Sequence, residues 1–526
     1  MKNIKIILKY FIYLLIPIYL YYILYKFNIT RFNSLYTDSA GYVDLIEGIK
    51  NGYGFNSPIF SSFFSYIPYL SLEPLKFCNE IFESVYKDSS YLNWHPYLLA
   101  YPLAFISEVL KINSIEMAGA INSINVVGSI FIIYWFLRHK KLGGLTSLLY
   151  CIFLLTSQIW VGMIYGQLYF DRLMLLPGIL MVIALAGGFV FGRQRLIIVS
   201  ASYLFCVLIS ERAALIASLT IIGYVFLSVR DENLKNKVLF IFISMMGILY
   251  LYYYKNFYQN NLYYDSITIA SMINNFKDAF SIGSRISNLT LKWFIVLAPF
   301  IIISLFSKRY FIIVLGVLMP NLLVSVGGAE KTGFLTHYHA VYFPILIGFS
   351  TIAFGRLEKV KNKFIPVTIT LLLITYNIII NIDNDKKIYS FNSFLEARRV
   401  FNKYTELMPN SELNNSFSIN GNYLNGIASL IPKNSSVSSP EILMPALVKN
   451  GNRYVDYFPI GLGINDYVIV QKDLQSGMYA VTTYLDFGSS LKIQKCITDI
   501  VNAKYQKIEY PNPALNGTIE IHKLKK

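Results

Sequence analysis

The stretch "YTDSAGYVDLIEGIKNGYGF" at residues 36–55 places Asp38, Asp44 and Glu47 directly after an apolar segment long enough to cross a bilayer. Four further stretches put polar chemistry at the ends of apolar segments. "NWHP" carries His95, "GQLYFDR" carries Asp171 and Arg172, "SER" carries Glu211 and Arg212, and "AEKTGFLTHYH" carries Glu330, Lys331, His337 and His339. A carboxylate can act as general base, while Arg, Lys and His can take up charge on a phosphate. Collected at one membrane–water interface, these types suit a substrate with a lipid tail and a phosphate head. Taken singly they have ordinary readings. Asp171 beside Arg172 and Glu211 beside Arg212 could be interfacial ion pairs, Asp38 an N-cap, His95 a cap ahead of Pro96, and His337 and His339 polar anchors. Convergence on one face is what favours a site, because an unpaired ion at that depth costs a few kcal/mol.

The elements that must position these residues are membrane helices. The chain has 526 residues, 55% hydrophobic and 14% charged, and its mean hydropathy of +0.48 is too apolar for a soluble globular protein. Candidate spans lie near 7–25, 116–137, 142–160, 170–191, 196–210, 213–229, 238–254, 286–306, 310–327, 340–355 and 364–382, roughly eleven crossings by length. Lys2, Lys5 and Lys9 precede the first span, whose length and lack of a small-residue cleavage site fit a retained signal anchor. With the N-terminus inside, "RHKK", "RQR", "RDENLKNK", "SKR" and "RLEKVKNK" fall on the cytoplasmic side, as the positive-inside rule requires. That rule also accounts for the net charge of +16, since no basic face with interleaved aromatics marks a nucleic-acid partner.

The outer loop 26–115 ends in "HPYLLAYPLAFISEVL", which is short and carries Pro96 and Pro102. It reads as a re-entrant or interfacial helix lying on the membrane, together with "FFSYIPYL" at 63–70. Residues 1–382 thus form the transmembrane domain. Residues 383–526 read as a small extracytoplasmic α/β domain: a strand, a helix begun near Pro440, a second strand, and a third in "DYVIVQKD". It has no glycine-rich phosphate loop. Cys78, Cys151, Cys206 and Cys496 are widely scattered and give neither a metal spacing nor a disulfide framework.

With these residues in place, the chain resembles the GT-C class of membrane glycosyltransferases, which use polyprenyl-phosphate-linked sugars. More closely it resembles an uncharacterised family of predicted membrane proteins grouped with that class. The resemblance is carried by Thr37-Asp38 through Gly52-Tyr53-Gly54-Phe55, "HPYLLAYPLAF" from His95, "YFDRLMLLP" around Asp171, "SERAAL" around Glu211, and His337, Tyr338, His339 and Pro344. The tail "LIPKNSSVSS...YVDYFP...NDYVIV" is similar to that family's C-terminal part. Two departures stand out. Val43 occupies the place of a second Asp, with Asp44 one position on, and Arg172-Leu173-Met174 replaces a His-Pro-Glu that would include a metal ligand.

The resemblance implies a polytopic α-helical fold and transfer of a sugar, with inversion, from a polyprenyl-phosphate carrier to a glycan, lipid or protein acceptor on the outer face of the bilayer. Asp38 would be the general base. Arg172, Arg212, Lys331, His337 and His339 are the candidates for binding phosphate, with Asp44, His95, Asp171 and Glu211 in support. No cofactor is required. A divalent metal stays open through Asp38, Asp171 and His337, although their spacing is no recognisable metal motif. Two other classes compete: a transporter or flippase of lipid-linked sugars, which would place charges at mid-span in paired repeats, and a non-catalytic envelope scaffold, which would tolerate Asp38→Asn.

Overall fold

The computed structural model describes residues 15–26, 28, 37–52, 54–60, 95–165, 169–188, 191–228, 233–257, 269–282, 285–323, 339–382, 421–440, 443–452, 454–472, 479, 491–510 and 519–525. Lys331, His337, the "FFSYIPYL" stretch and residues 383–420 lie outside them. The chain divides into two compact units. One comprises Met1–Tyr25, Trp94–Leu99 and Ile121–Leu407, the other Lys26–Asn93, Ala100–Ala120 and Met408–Lys526.

The helices in chain order are α1 (15–26), α2 (Thr37–Lys50), α3 (Ala100–Leu110), α4 (Ser114–His139), α5 (Gly144–Thr156), α6 (Gln158–Tyr165), α7 (Leu175–Ala186), α8 (Gly192–Ile209) and α9 (Glu211–Leu227). Then come α10 (Leu234–Phe257), α11 (Ile269–Phe280), α12 (Arg285–Ser304), α13 (Lys308–Leu323), α14 (Phe343–Gly355) and α15 (Phe364–Ile382). Among the described residues, three helices have the length and apolarity to cross a membrane: Ser114–His139, Gly192–Ile209 and Leu234–Asn256. Shorter apolar helices include Ala100–Leu110, Gly144–Thr156, Trp293–Ser304 and Phe364–Ile380. A chain of this composition with such helices is a membrane protein.

In the first unit α7 is packed against both α8 and α14, and α9 against α10. The α7–α14 approach depends on small residues, as helix pairs in lipid generally do. A Cβ at Gly178 would lie 2.8 Å from Pro344 Cβ, and one at Gly348 would lie 2.7 Å from Val182 Cβ.

The second unit contains α2, α3, the first residues of α4, and a five-stranded sheet. Its remaining elements are α16 (Gly421–Ser429), β1 (Ser436–Ser439), α17 (Met444–Asn450), β2 (Tyr454–Tyr457), β3 (Tyr467–Gln471), α18 (Leu491–Lys504), β4 (Tyr505–Ile508) and β5 (Ile519–Leu524). Strand order is β2-β1-β3-β5-β4, parallel among the first three and antiparallel at β5. The sequence pattern locates β1, β2 and β3; it misses β4 and β5, whose "YQKI" and "IEIHKL" are short and interrupted by polar residues. Helix α2 packs on α3 and on α17, burying Val43 and Ile46 as its amphipathic spacing predicts. Cys496 is disulfide-bonded, while Cys151 and Cys206 are free and buried. This corrects the reading of the cysteines as unconnected: pairing is set by the distance between Cα atoms in the fold, on which chain spacing is silent.

Gly348→Leu should lower the stability of the purified protein by on the order of 2 kcal/mol, as overpacking does. Thermal unfolding in detergent measures it, and adding Val182→Ala should recover part of the loss.

Candidate functional site

Ser210 ends α8 in an extended conformation and caps α9, its hydroxyl accepting from the Ala213 N–H at 3.2 Å. The same hydroxyl donates to Asp171 Oδ1 at 2.5 Å. Asp171 belongs to a 3-10 turn, Phe170–Met174, that leads into α7 and is wholly buried. Burying a carboxylate is costly unless a counter-charge meets it. Arg212 supplies one: its Nη2 lies 3.1 Å from Asp171 Oδ2. That contact is an ion pair without hydrogen-bond alignment. The arginine side chain is 26% exposed and Asp171 0%, so Arg212 links a buried anion to the accessible side of the bundle.

The neighbouring Glu211 pairs with His95, whose Nδ1 is 2.7 Å from Glu211 Oε1 across 116 positions of sequence. Burial works against the Glu211 carboxylate, yet His95 and Arg212 outweigh it and hold the group down at about 2. The 95–99 segment is fixed at both ends. The Leu99 N–H donates to the Leu208 carbonyl at 2.7 Å, and the Tyr97 ring lies 5.4 Å from that of Phe170. Four expected residues, His95, Asp171, Glu211 and Arg212, therefore meet in one network.

Arg172 takes a different position from its neighbour. It is 2% exposed, its guanidinium carbon 5.9 Å from the Tyr169 ring centre. Its carbonyl accepts from Asn125 Nδ2 at 2.8 Å, and the Asn125 Oδ1 accepts from the Leu176 N–H at 2.8 Å. Asn125 thus closes the start of α7 from within α4. His339 belongs to another group: its Nδ1 is 2.5 Å from Tyr342 Oη, which accepts from Trp293 Nε1 at 2.8 Å.

In the second unit, Asp38 sits in the first turn of α2, where the helix dipole favours a carboxylate. The other acids of that helix hold neighbouring backbone. Asp44 Oδ2 accepts from Ser57 Oγ at 2.6 Å and from the Ile59 N–H at 3.3 Å. Ser57 Oγ accepts in turn from the Phe60 N–H at 3.3 Å. Glu47 Oε1 accepts from Ser114 Oγ at 2.6 Å and from the Ser114 N–H at 3.1 Å, closing the start of α4. Asp44 thus positions residues 57–60 through its hydrogen bonds. Burial pushes its carboxyl up to about 7 against the hydrogen bonds from Ser57 and Ile59, with Glu47 and Asp456 adding negative potential.

Among the described residues no three His, Cys, Asp or Glu side chains gather as a metal site would require. Ser210 and Asn125 were not among the candidates read from sequence. For Ser210 a signal exists, since Ser directly before Glu at a helix start is an N-cap pattern. For Asn125, inside an apolar span, there is none.

No protein-family model matches the chain, and no curated protein does. Among solved structures, the cryo-EM structure of the arabinofuranosyltransferase AftD from Mycobacteria matches with a TM-score of 0.41 and 10% identity, over 87% of this chain and 38% of that one. The chain thus spans well under half of that protein's length.

Two outcomes follow from the geometry. Arg212→Ala strands Asp171 and should cost on the order of 3 kcal/mol, as breaking a buried pair does; Arg212→Lys should retain more of the stability in the same thermal assay. For Asp44, the folded state holds the proton more tightly than the unfolded chain. The stability linked to it is complete below the ordinary value of 3.8 and is lost as pH rises through about 7. Hydrogen exchange at Ile59 and Phe60 should accelerate over that interval beyond its intrinsic pH dependence, and Asp44→Asn should abolish the excess.

Proposed function

We propose that this chain is a membrane glycosyltransferase that moves a sugar from a polyprenyl-phosphate carrier to an acceptor hydroxyl on the outer face of the bilayer. The observation that carries the reading is the partly exposed side chain of Arg212, held by buried Asp171 beside the Glu211–His95 pair, at the ends of apolar helices. A fixed cation at the end of a membrane helix can reach a phosphate at headgroup level and take up charge as the phosphate departs.

In the proposed reaction the acceptor oxygen forms a bond to the anomeric carbon as the carbon–oxygen bond to phosphate breaks, with inversion. The acceptor proton passes to Asp38 and the electron pair leaves with the polyprenyl phosphate. Arg212 carries the phosphate role first, with Arg172, Lys331, His337 and His339 as further candidates. Asp171, Glu211 and His95 orient the cations, and Asp44 secures the turn that follows α2. The disulfide at Cys496 supports an extracytoplasmic position for the C-terminal residues, because such bonds persist in oxidising compartments. That placement agrees with the arrangement of Lys and Arg between spans.

The test is mass spectrometry of lipid-linked sugars and envelope glycans from cells carrying wild type, no protein, or Asp38→Asn at matched membrane levels. The Asn variant should accumulate a polyprenyl-phosphate sugar and lose one glycan residue, as the null strain does. Wild-type glycans in the Asn strain beside a defective null strain would mean that Asp38 is a structural residue of α2.

A further inference from the structure

Helix α11, "IASMINNFKDAF", divides apolar from polar residues far more sharply than do the three helices long enough to cross a membrane. At about 3.6 residues per turn its side chains fall on three sides. Met272, Asn275 and Ala279 share one, Ile273, Phe276 and Phe280 a second, and Asn274, Lys277 and Asp278 a third.

The first side meets the protein. Helix α11 packs on α12 and α13, Ala279 is buried, and Asn275 Nδ2 donates to the Leu323 carbonyl at 3.1 Å. Leu323 is the last residue of α13, so the amide satisfies a carbonyl that the helix end leaves open. The same bond sets the level of α11. Residues 281–284 join α11 to the first residue of α12, while Asn275 holds it to the last of α13, so α11 lies where those two helices end.

The second side is uncovered. Ile273, Phe276 and Phe280 are exposed, and Ile282, just beyond the helix, is 99% exposed. The rings of Phe276 and Phe280 are 5.0 Å apart and form one continuous surface. Exposed Leu291 and Ile295 of α12, with Met319 and Leu315 of α13, continue apolar surface along both helices away from α11. On helices of a membrane protein, such residues face hydrocarbon. The apolar side of α11 therefore adjoins a lipid-facing surface at the level where it ends. The third side, with Asn274, Lys277 and Asp278, is exposed and polar.

We propose that α11 lies in the interface of the bilayer, with Ile273, Phe276, Phe280 and Ile282 entering the boundary between headgroups and acyl chains and with Asn274, Lys277 and Asp278 facing water. Helices of this build immerse their apolar side by about 5–10 Å. The placement holds whether or not the chain is a transferase.

Spin labelling of the full-length protein in lipid nanodiscs tests it, with a nitroxide on Phe276→Cys, Ile273→Cys or Lys277→Cys. Collision with oxygen, which concentrates in lipid, is compared with collision with a water-soluble nickel chelate. Wild type, whose Cys151 and Cys206 are buried, gives the background of labelling. The ratio of oxygen to chelate collision should exceed unity at 276 and 273 and fall below unity at 277. Positions 276 and 273 are one turn apart on the same side, so either reports if the other variant does not fold. A ratio below unity at both overturns the proposal, because the apolar side then faces water. Shielding of both labels from both reagents also overturns it, and dipolar broadening at those positions would identify a second copy of the chain as the occupant.

Discussion

A carboxylate with no exposure to solvent governs the architecture around the candidate site. Asp171 must be met by donors and a counter-charge, and these come from one place: Ser210 and Arg212, two positions apart on either side of Glu211. Meeting them fixes the 3-10 turn before α7 against the start of α9. The same capping serine satisfies an orphan amide of α9, so helix termination and charge compensation are one event. Glu211 then reaches the opposite way to His95 and ties in the 95–99 segment. Two stretches distant in sequence, 95–99 and 170–174, are held by one short run, Ser210-Glu211-Arg212.

Such a network serves stability and chemistry with the same atoms. Buried ion pairs contribute little net stability over apolar packing of equal volume, because desolvation offsets most of the attraction. Their retention therefore has to be explained by what they position. Here the positioned group is an arginine whose side chain is about a quarter exposed. Anchoring it from the buried side reduces the freedom it must lose on meeting an anion.

The carboxylates of α2 divide by what they touch. Asp44 and Glu47 each accept from one serine hydroxyl and one backbone N–H, at residues 57–59 and at the start of α4. Both are placed one turn apart on the face of α2 that meets its own unit. Asp38, at the helix start, is set apart from them by position, and the general-base role proposed above falls to it. The packing of α2 on α17 places α2 and the C-terminal strands in one compact unit, a grouping that the linear order of the chain conceals.

What the sequence alone determined follows from local chemistry. Apolar runs of helical length announce membrane helices, and short runs between turn residues mark β1, β2 and β3. Helix-end residues such as Asp171, Glu211 and Arg212 were visible because charge beside apolar sequence is costly and needs a reason. Which charges meet was decided only by tertiary structure. His95 and Glu211 are 116 positions apart, Arg212 rather than Arg172 takes Asp171, and Arg172 turns inward. The approach of α10 to Tyr203 of α8 and Ser218 of α9 depends on Gly247, and the bond at Cys496 depends on Cα separation. Pairing, burial and helix approach are properties of atoms brought together across long chain separations, and no local pattern encodes them.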